Sequence, residues 1–340
     1  MIRAPWRPLF SGLLLCALPV AGAAGARADE AFVTDQPANQ VVVVDLERLV
    51  APVASPARGG ADGPVRTRID VPGEPAGIAV TLDGRRAYVT SPEGKFVSVI
   101  DAASRTVLRH IPVTGGPFGI AVAPTGAPLY VADWYAHRLL VLDPEGQAPQ
   151  REAKTGTSPS GVAVTPDGAF VLTTDRDDDT VSVIDAATLA RVAVIGVGKR
   201  PFGITIDVAG KYAYTANVGS DDVSVIDLAA RKVVGTVKVG LRPYAVALAG
   251  GLAFVTNQYA GTVSVFDVAT LAPRATLTVG DYPEGIGASR DGHFVFVANW
   301  FDNSLSVIDT RRLAVVRDVE VGDGPRAFGA FIRRVPSDSN

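Results

Sequence analysis

An all-β ring of seven four-stranded antiparallel sheets is the fold class that the sequence predicts, and three observations predict it. Prolines recur at Pro75, Pro117, Pro159, Pro201, Pro243, Pro283 and Pro325, at intervals of 42, 42, 42, 42, 40 and 42 residues, and each opens a variant of PFGIAV (117–122) or PSGVAV (159–164). Between successive prolines lie short apolar or alternating runs, four to a unit, none with a helical period. The third run closes on an aspartate every time, at Asp45, Asp101, Asp143, Asp185, Asp227, Asp267 and Asp309. Self-similarity at about 40 residues marks a propeller or a solenoid. Four short antiparallel strands per unit make one blade of a β-propeller.

The first element is not part of the ring. Residues 1–28 read as a secretory signal peptide: Arg3 and Arg7 begin it, an apolar run follows from Leu9 to Val20, and Ala26-Arg27-Ala28 offers an A-x-A cleavage site. The run is shorter than the roughly 20 residues a membrane helix needs, and no later stretch reaches that length. A soluble, monomeric product exported to the periplasm, with no membrane span, is therefore expected. Cys16 is the only cysteine, so the exported domain has no disulfide and relies on its core. Without the three arginines of that segment, 29 basic side chains face 35 acidic ones, a net charge of −6. That balance favours solubility and argues against broad binding to nucleic acid or anionic lipid.

The domain is expected over 29–336, with 337–340 as a tail. Residues 31–46 match the second and third strands of a blade and 65–71 the fourth, with no first strand before them. At the other end, PRAFGAFIRR (325–334) is a first strand with nothing after it. Blade 1 is therefore split between 31–73 and 325–334, and the C-terminal strand closes the ring and covers both sheet edges. An Ala/Pro/Gly-rich insertion at 50–64 reads as a flexible surface loop. The six continuous units follow the pattern of 201–242. FGITIDV is the first strand, Ala209-Gly210 a tight turn, KYAYTAN the second strand, VSVID the third and RKVVGTVKV the fourth.

Two columns of the repeat are architectural. Two residues after each proline stands a glycine or alanine (Gly77, Gly119, Gly161, Gly203, Ala245, Gly285, Ala327), as the crowded centre of a propeller requires. The seven third-strand aspartates are expected to cap the following turn, since seven equivalent copies cannot be one catalytic acid. A second polar column, Asp35, Ser91, Asp133, Asp175, Asn217, Asn257 and Asn299, is expected to be an Asx-type turn cap.

AYVTS (87–91), AYTAN (213–217) and FVTN (254–257), each followed by VSVID or VSVFD, resemble the YVTN-type β-propeller repeat, and the P-x-G-I-A-V segments fit the same family over nearly the whole domain. The resemblance implies a seven-bladed, WD40-like, non-catalytic periplasmic propeller, similar to the YncE-like ones, that binds a protein or small ligand. Its likeness to propellers that accompany exported dehydrogenases implies an accessory role as one version. Some seven-bladed propellers are lactonases, which keeps hydrolysis open as an alternative.

Function must sit where the units differ. Loops joining successive blades share one face with loops between second and third strands. That face gathers Trp134, Tyr135, Tyr259, Trp300 and Phe301, and the residues beside the repeat prolines bring Phe118, Arg200, Phe202, Arg242, Tyr244, Tyr282, Glu284 and Arg326 to the mouth of the channel. Aromatics beside arginines are the composition of a recognition surface; packing of the same aromatics over neighbouring loops is the competing expectation. Glu284, Arg326 and Arg242 are the residues on which a hydrolytic site would be built. Single-stranded nucleic acid stacking on the aromatics is a third option, disfavoured by the net charge. The acidic loop Asp175, Asp177, Asp178, Asp179, with Asp221 and Asp222 in the next blade, reads as a solvated rim rather than a calcium site. His110, His137 and His293 fall at separate places in the repeat, so no metal or haem site and no cofactor is expected.

Overall fold

The computed structural model describes Met1 and residues 29–51 and 63–335. It is a seven-bladed β-propeller of antiparallel sheets with almost no helix. Residues 2–28 of the signal-peptide segment, the 52–62 part of the insertion, Pro336 and the 337–340 tail lie outside the described residues. Among the described residues no helix is long and apolar enough to cross a membrane.

Blade 5 shows how each unit is built: Pro201–Ile206, Tyr212–Asn217, Asp222–Asp227 and Lys232–Lys238 pair in sequence order. Second and third strands are buried throughout their middles, whereas outer strands alternate between half-buried and exposed side chains. The core is therefore a series of apolar layers between adjacent blades, not one central core. That follows from period-2 strands whose two faces each meet a neighbouring sheet.

The inner strand explains the proline period. In five blades its register slips just after the proline, between Pro117 and Ile120, Pro159 and Val162, Pro201 and Ile204, Pro243 and Val246, and Pro283 and Ile286. This bulge frees the residue after the proline from the ladder and re-aims it. The next residue is glycine because the following blade is too close: a Cβ on Gly119 would stand 1.9 Å from the Ser160 carbonyl oxygen, and one on Gly203 2.5 Å from that of Tyr244. Threonine hydroxyls of the second strands lock the bulges across blades. Thr90 donates to the Phe118 carbonyl (2.6 Å), Thr174 to Phe202 (2.5 Å), and Thr256 to Glu284 (2.9 Å).

Ring closure follows the expected split, with a finer arrangement than one continuous strand. Ile332–Arg333 pairs antiparallel with Glu30–Ala31 and completes blade 1, whose other strands are Glu30–Asp35, Gln40–Asp45 and Val65–Asp70. Before it, Phe328–Ala330 swings across and pairs in parallel with Gly77–Ala79 of blade 2. The detour arises because the segment from Pro325 to Ile332 faces the shorter stretch from Asp35 to Ala31. Arg333 fastens the end, donating to Glu30 Oε2 at 2.6 Å and to the Gly84 carbonyl at 2.7 Å.

Two local expectations are refined. A five-residue helix, Leu46–Val50, precedes the insertion; Asp45 caps it through the Arg48 N–H, and Leu46 and Leu49 are buried. One helical turn and a half is too short to show a period in sequence. The third-strand aspartates are turn caps as expected: Asp185 accepts from the N–H groups of Ala187 and Thr188, and Asp267 from those of Ala269 and Thr270. The second column does more than cap its own turn. Asn257 accepts from the Gly240 N–H of the inter-blade loop and donates to Ser264 on the third strand, and Asn217 and Asn299 reach Ser224 and Ser306 likewise.

Candidate functional site

The site is built where the bulges and the loops meet. Each inter-blade loop is gripped by its own blade's second-to-third-strand loop: the N–H groups of Val218, Gln258 and Trp300 donate to the carbonyls of Arg200, Arg242 and Tyr282. The preceding blade grips it too. Asp179 Oδ1 accepts from the Arg200 N–H and Asp221 Oδ1 from the Arg242 N–H, both at 2.8 Å. Arg200, Arg242 and Tyr282 consequently sit in the left-handed region, with φ of 55°, 53° and 59°. A non-glycine residue there carries strain of about 1 kcal/mol, which the double grip sustains at Arg200 and Arg242.

The seven residues after the prolines form a ring at the axis: Ala76, Phe118, Ser160, Phe202, Tyr244, Glu284 and Arg326. Into its centre the C-terminal detour inserts Phe328, which contacts Phe118, Phe202 and Tyr244 with ring centroids 5.4, 5.2 and 5.5 Å away. Phe202, Tyr244 and Phe328 are buried, and Phe118 and Trp134 pack against them. The aromatics expected to line an open mouth thus make its floor. Packing wins for Phe202 and Tyr244 because Phe328 fills the space they would otherwise border.

One side of the ring is polar. Glu284, fully buried, accepts from Arg326 Nε at 2.7 Å and from Gln258 Nε2 at 2.8 Å. Burial pushes the Glu284 carboxyl above its usual range, with the Arg326 charge opposing the rise. For Arg326, burial works against the charged form, but Tyr244 and Glu284 outweigh it and the pKa is raised. The Tyr244 hydroxyl is buried facing the same carboxylate without a hydrogen-bond partner, and burial followed by the Glu284 charge raises its pKa strongly.

Above the floor stand guanidinium groups laid on aromatic rings. Arg176 lies 5.3 Å from the Trp134 centroid, Arg242 4.4 Å from Tyr259, and Arg326 5.4 Å from Trp300 and 5.9 Å from Phe118. Tyr282 joins Tyr259 to Trp300 and Phe301, the last two stacked at 5.1 Å. Burial first, and then the neighbouring charges of Arg200 and Arg242 against the relief from Asp177, lowers the Arg176 pKa. The three arginines belong to successive loops of this face, and the charges of Arg200 and Arg242 oppose that of Arg176. Arg176 is paired with Asp177 at 2.6 Å. Arg200 and Arg242 have no carboxylate partner among the described residues, and Arg242 Nε is buried with no acceptor.

All thirteen residues singled out from sequence lie on this face or its floor. Tyr259, Phe301 and Tyr135 are exposed, Trp134, Trp300, Phe118, Tyr282, Arg242 and Arg326 half-buried, Arg200 exposed, and Phe202, Tyr244 and Glu284 buried. Tyr135 stands apart, against Gly116 of its own inter-blade loop. Sequence reasoning missed Arg176, Gln258 and Phe328 as site residues. Arg176 is the signal that was available, a lone base in an acidic loop. Nothing in sequence marks Phe328, whose place depends on the detour. The acidic loops are engaged in holding backbone: Asp178 accepts from the Thr157 N–H, Asp179 from Arg200, Asp221 from Arg242, while Asp222 meets Asn217 and Lys238. His137 accepts from the Ser158 N–H, and His110 and His293 lie elsewhere in the ring against Ser98 and Asp291.

Comparison with known proteins bears on this geometry. A family model described as "Lactonase, 7-bladed beta-propeller" matches residues 138–238, which contain Arg176 and Arg200 but neither Glu284 nor Arg326. No curated protein matches the chain. Among solved structures, hydrazine synthase of Kuenenia stuttgartiensis is similar with a TM-score of 0.68 at 21% identity, over 81% of this chain and 92% of that one. A functionally unknown protein from Desulfotomaculum acetoxidans is similar with a TM-score of 0.74 at 14% identity, over 89% of this chain and 100% of that one. At these identities the likeness is one of fold. The family match supports the seven-bladed propeller and leaves the YVTN-type assignment as a resemblance.

Proposed function

We propose that the protein is an exported, non-catalytic binding propeller that receives an anionic ligand at its arginine and aromatic mouth. One observation carries the reading. Arg176, Arg200 and Arg242 stand on successive loops of one face of a chain of net negative charge, with Asp177 as the one carboxylate ion-paired to the three among the described residues. Like charges held together, two of them in strained backbone, are destabilising unless something else favours them, and an anion is the partner that relieves them. The amino-terminal segment supports export. Thermal melting at matched ionic strength, over a panel of carboxylates and phosphates, tests the reading. The midpoint is expected to rise with a binding anion, and the rise to vanish in an Arg200→Gln/Arg242→Gln variant. A variant that responds like the wild type, or a panel with no response at all, overturns it.

A second reading, hydrolysis of a lactone at the same mouth, has the family match in its favour. Against it stands Glu284, the acid such a site needs, enclosed between Arg326 and Gln258 and out of reach of a substrate. An assay with simple γ- and δ-lactones separates the two: turnover that disappears in Glu284→Gln supports hydrolysis.

A further inference from the structure

We infer that the ligand is a flat, conjugated molecule carrying two carboxylates; this rests on the binding reading above and adds the ligand's chemical class. The charge comes from the ion pairs. Arg176 is balanced by Asp177 and Arg326 by Glu284, whereas among the described residues the guanidiniums of Arg200 and Arg242 have no ion-pair partner, Arg200 having only the nearby charge of Asp179. Arg242 Nε is a buried donor without an acceptor, and a carboxylate oxygen is the strongest acceptor for it.

The choice of carboxylate over phosphate comes from the backbone. Phosphates are characteristically cradled by free N–H groups of loops and helix ends. At this mouth those groups are taken: Arg200 and Arg242 N–H by Asp179 and Asp221, Gln258 and Trp300 N–H by the Arg242 and Tyr282 carbonyls. Recognition is left to planar guanidinium forks, which satisfy both oxygens of a carboxylate edge to edge but leave the further oxygen of a phosphate without a backbone donor.

Flatness comes from the rings. Arg242 lies on Tyr259 and Arg176 on Trp134, so an anion reaching these cations brings its body against aromatic faces. The floor below, Phe118, Phe202, Tyr244 and Phe328, is closed. The ligand therefore lies across the mouth rather than entering the channel, a setting in which a planar body keeps both ring contacts and a puckered one does not.

Calorimetric titration of the purified protein with terephthalate, cyclohexane-1,4-dicarboxylate and inorganic phosphate tests this. The two dicarboxylates carry the same charge and differ in planarity. Terephthalate is expected to bind about tenfold more tightly than either other probe. Arg242→Lys, which keeps the charge but has no Nε donor, and Trp134→Leu are each expected to weaken terephthalate about tenfold. Equal binding of the two dicarboxylates overturns the flat class while leaving an anion site. Preference for phosphate overturns the carboxylate class. Absence of binding by either dicarboxylate overturns the inference outright, and the broader anion panel with the arginine double variant then decides the binding reading separately.

Discussion

Glu284 and Arg326 show at residue scale how a repeat position is turned to a new use. Their equivalents in the other blades are Ala76, Phe118, Ser160, Phe202 and Tyr244, so the bulge supplies the placement and the side chain alone supplies the chemistry. Glu284 is fully buried and Arg326 largely so, and burial works against both charges. Removing one partner leaves the other uncompensated, at about 3–5 kcal/mol, whereas replacing both by apolar groups is often close to neutral. Arg326→Met and Glu284→Gln are each expected to lose about that much, and the double variant clearly less than the sum. Urea unfolding of the four proteins measures the coupling; additive losses mean the pair contributes nothing as a pair. The pH dependence has a definite sign. Glu284 has a raised pKa, so its contribution is full below its ordinary value of 4.5 and falls as pH rises through the folded value. Without Arg326 that fall steepens, and Arg326→Met is expected to lose more stability at pH 7 than at pH 4. Proline spacing placed these residues together in sequence, because equivalence under a period fixes neighbours. It did not reveal their burial, which depends on side chains from three separate blades meeting at the axis, Glu284 between Arg326 and Gln258.

At the scale of the element, the column at the end of the second strand couples three pieces of a blade through one side chain. Asn217, Asn257 and Asn299 each donate to a third-strand serine, and Asp175 accepts from the equivalent Ser182 at 2.5 Å. Blade 4 therefore holds a carboxylate where blades 5 to 7 hold a neutral amide. Burial raises the Asp175 pKa, with hydrogen bonds from Ser182 and Thr173 acting against the rise. A raised carboxyl contributes its stability below its ordinary value of 3.8 and loses it as pH rises through the folded value. Asp175→Asn is thus expected to stabilise the protein at pH 7, with the gain vanishing as the pH falls to the ordinary value of 3.8. Urea midpoints at the two pH values test it, and a loss at pH 7 means that the charged form is the one the blade is built around. The column was legible as polar and structural. Its second partner was not, because the serine lies seven positions on and meets it only once the strands pair in register.

For the whole molecule, the C-terminal segment is at once the latch of the ring and the floor of the mouth. Phe331 is fully buried in the blade 1 core, Arg333 ties Glu30, Phe328 fills the axis and Arg326 balances Glu284. The split blade was legible because a propeller with six complete units and two fragments has one economical closure. The detour was not, because nothing local distinguishes a residue that pairs from one that crosses to the next blade. The two roles are separable by experiment. Phe328→Ala empties the axis but keeps the pairing of Ile332–Arg333 with Glu30–Ala31, so a loss of about 3–5 kcal/mol with a single transition is expected. Truncation after Gly324 removes both roles. It bares the edge of Glu30–Asp35, leaves Glu284 without its arginine and Glu30 with Arg105 alone, and opens the interface between blades 1 and 2. Trp134 and Trp300 both stand at the mouth, so tryptophan fluorescence follows the site while far-UV circular dichroism follows the sheets. The two probes are expected to coincide in urea for the wild type and Phe328→Ala, and to separate in the truncated chain as the mouth melts before the remaining blades. A truncated chain that unfolds in one transition at the wild-type midpoint means that the ring does not depend on this latch.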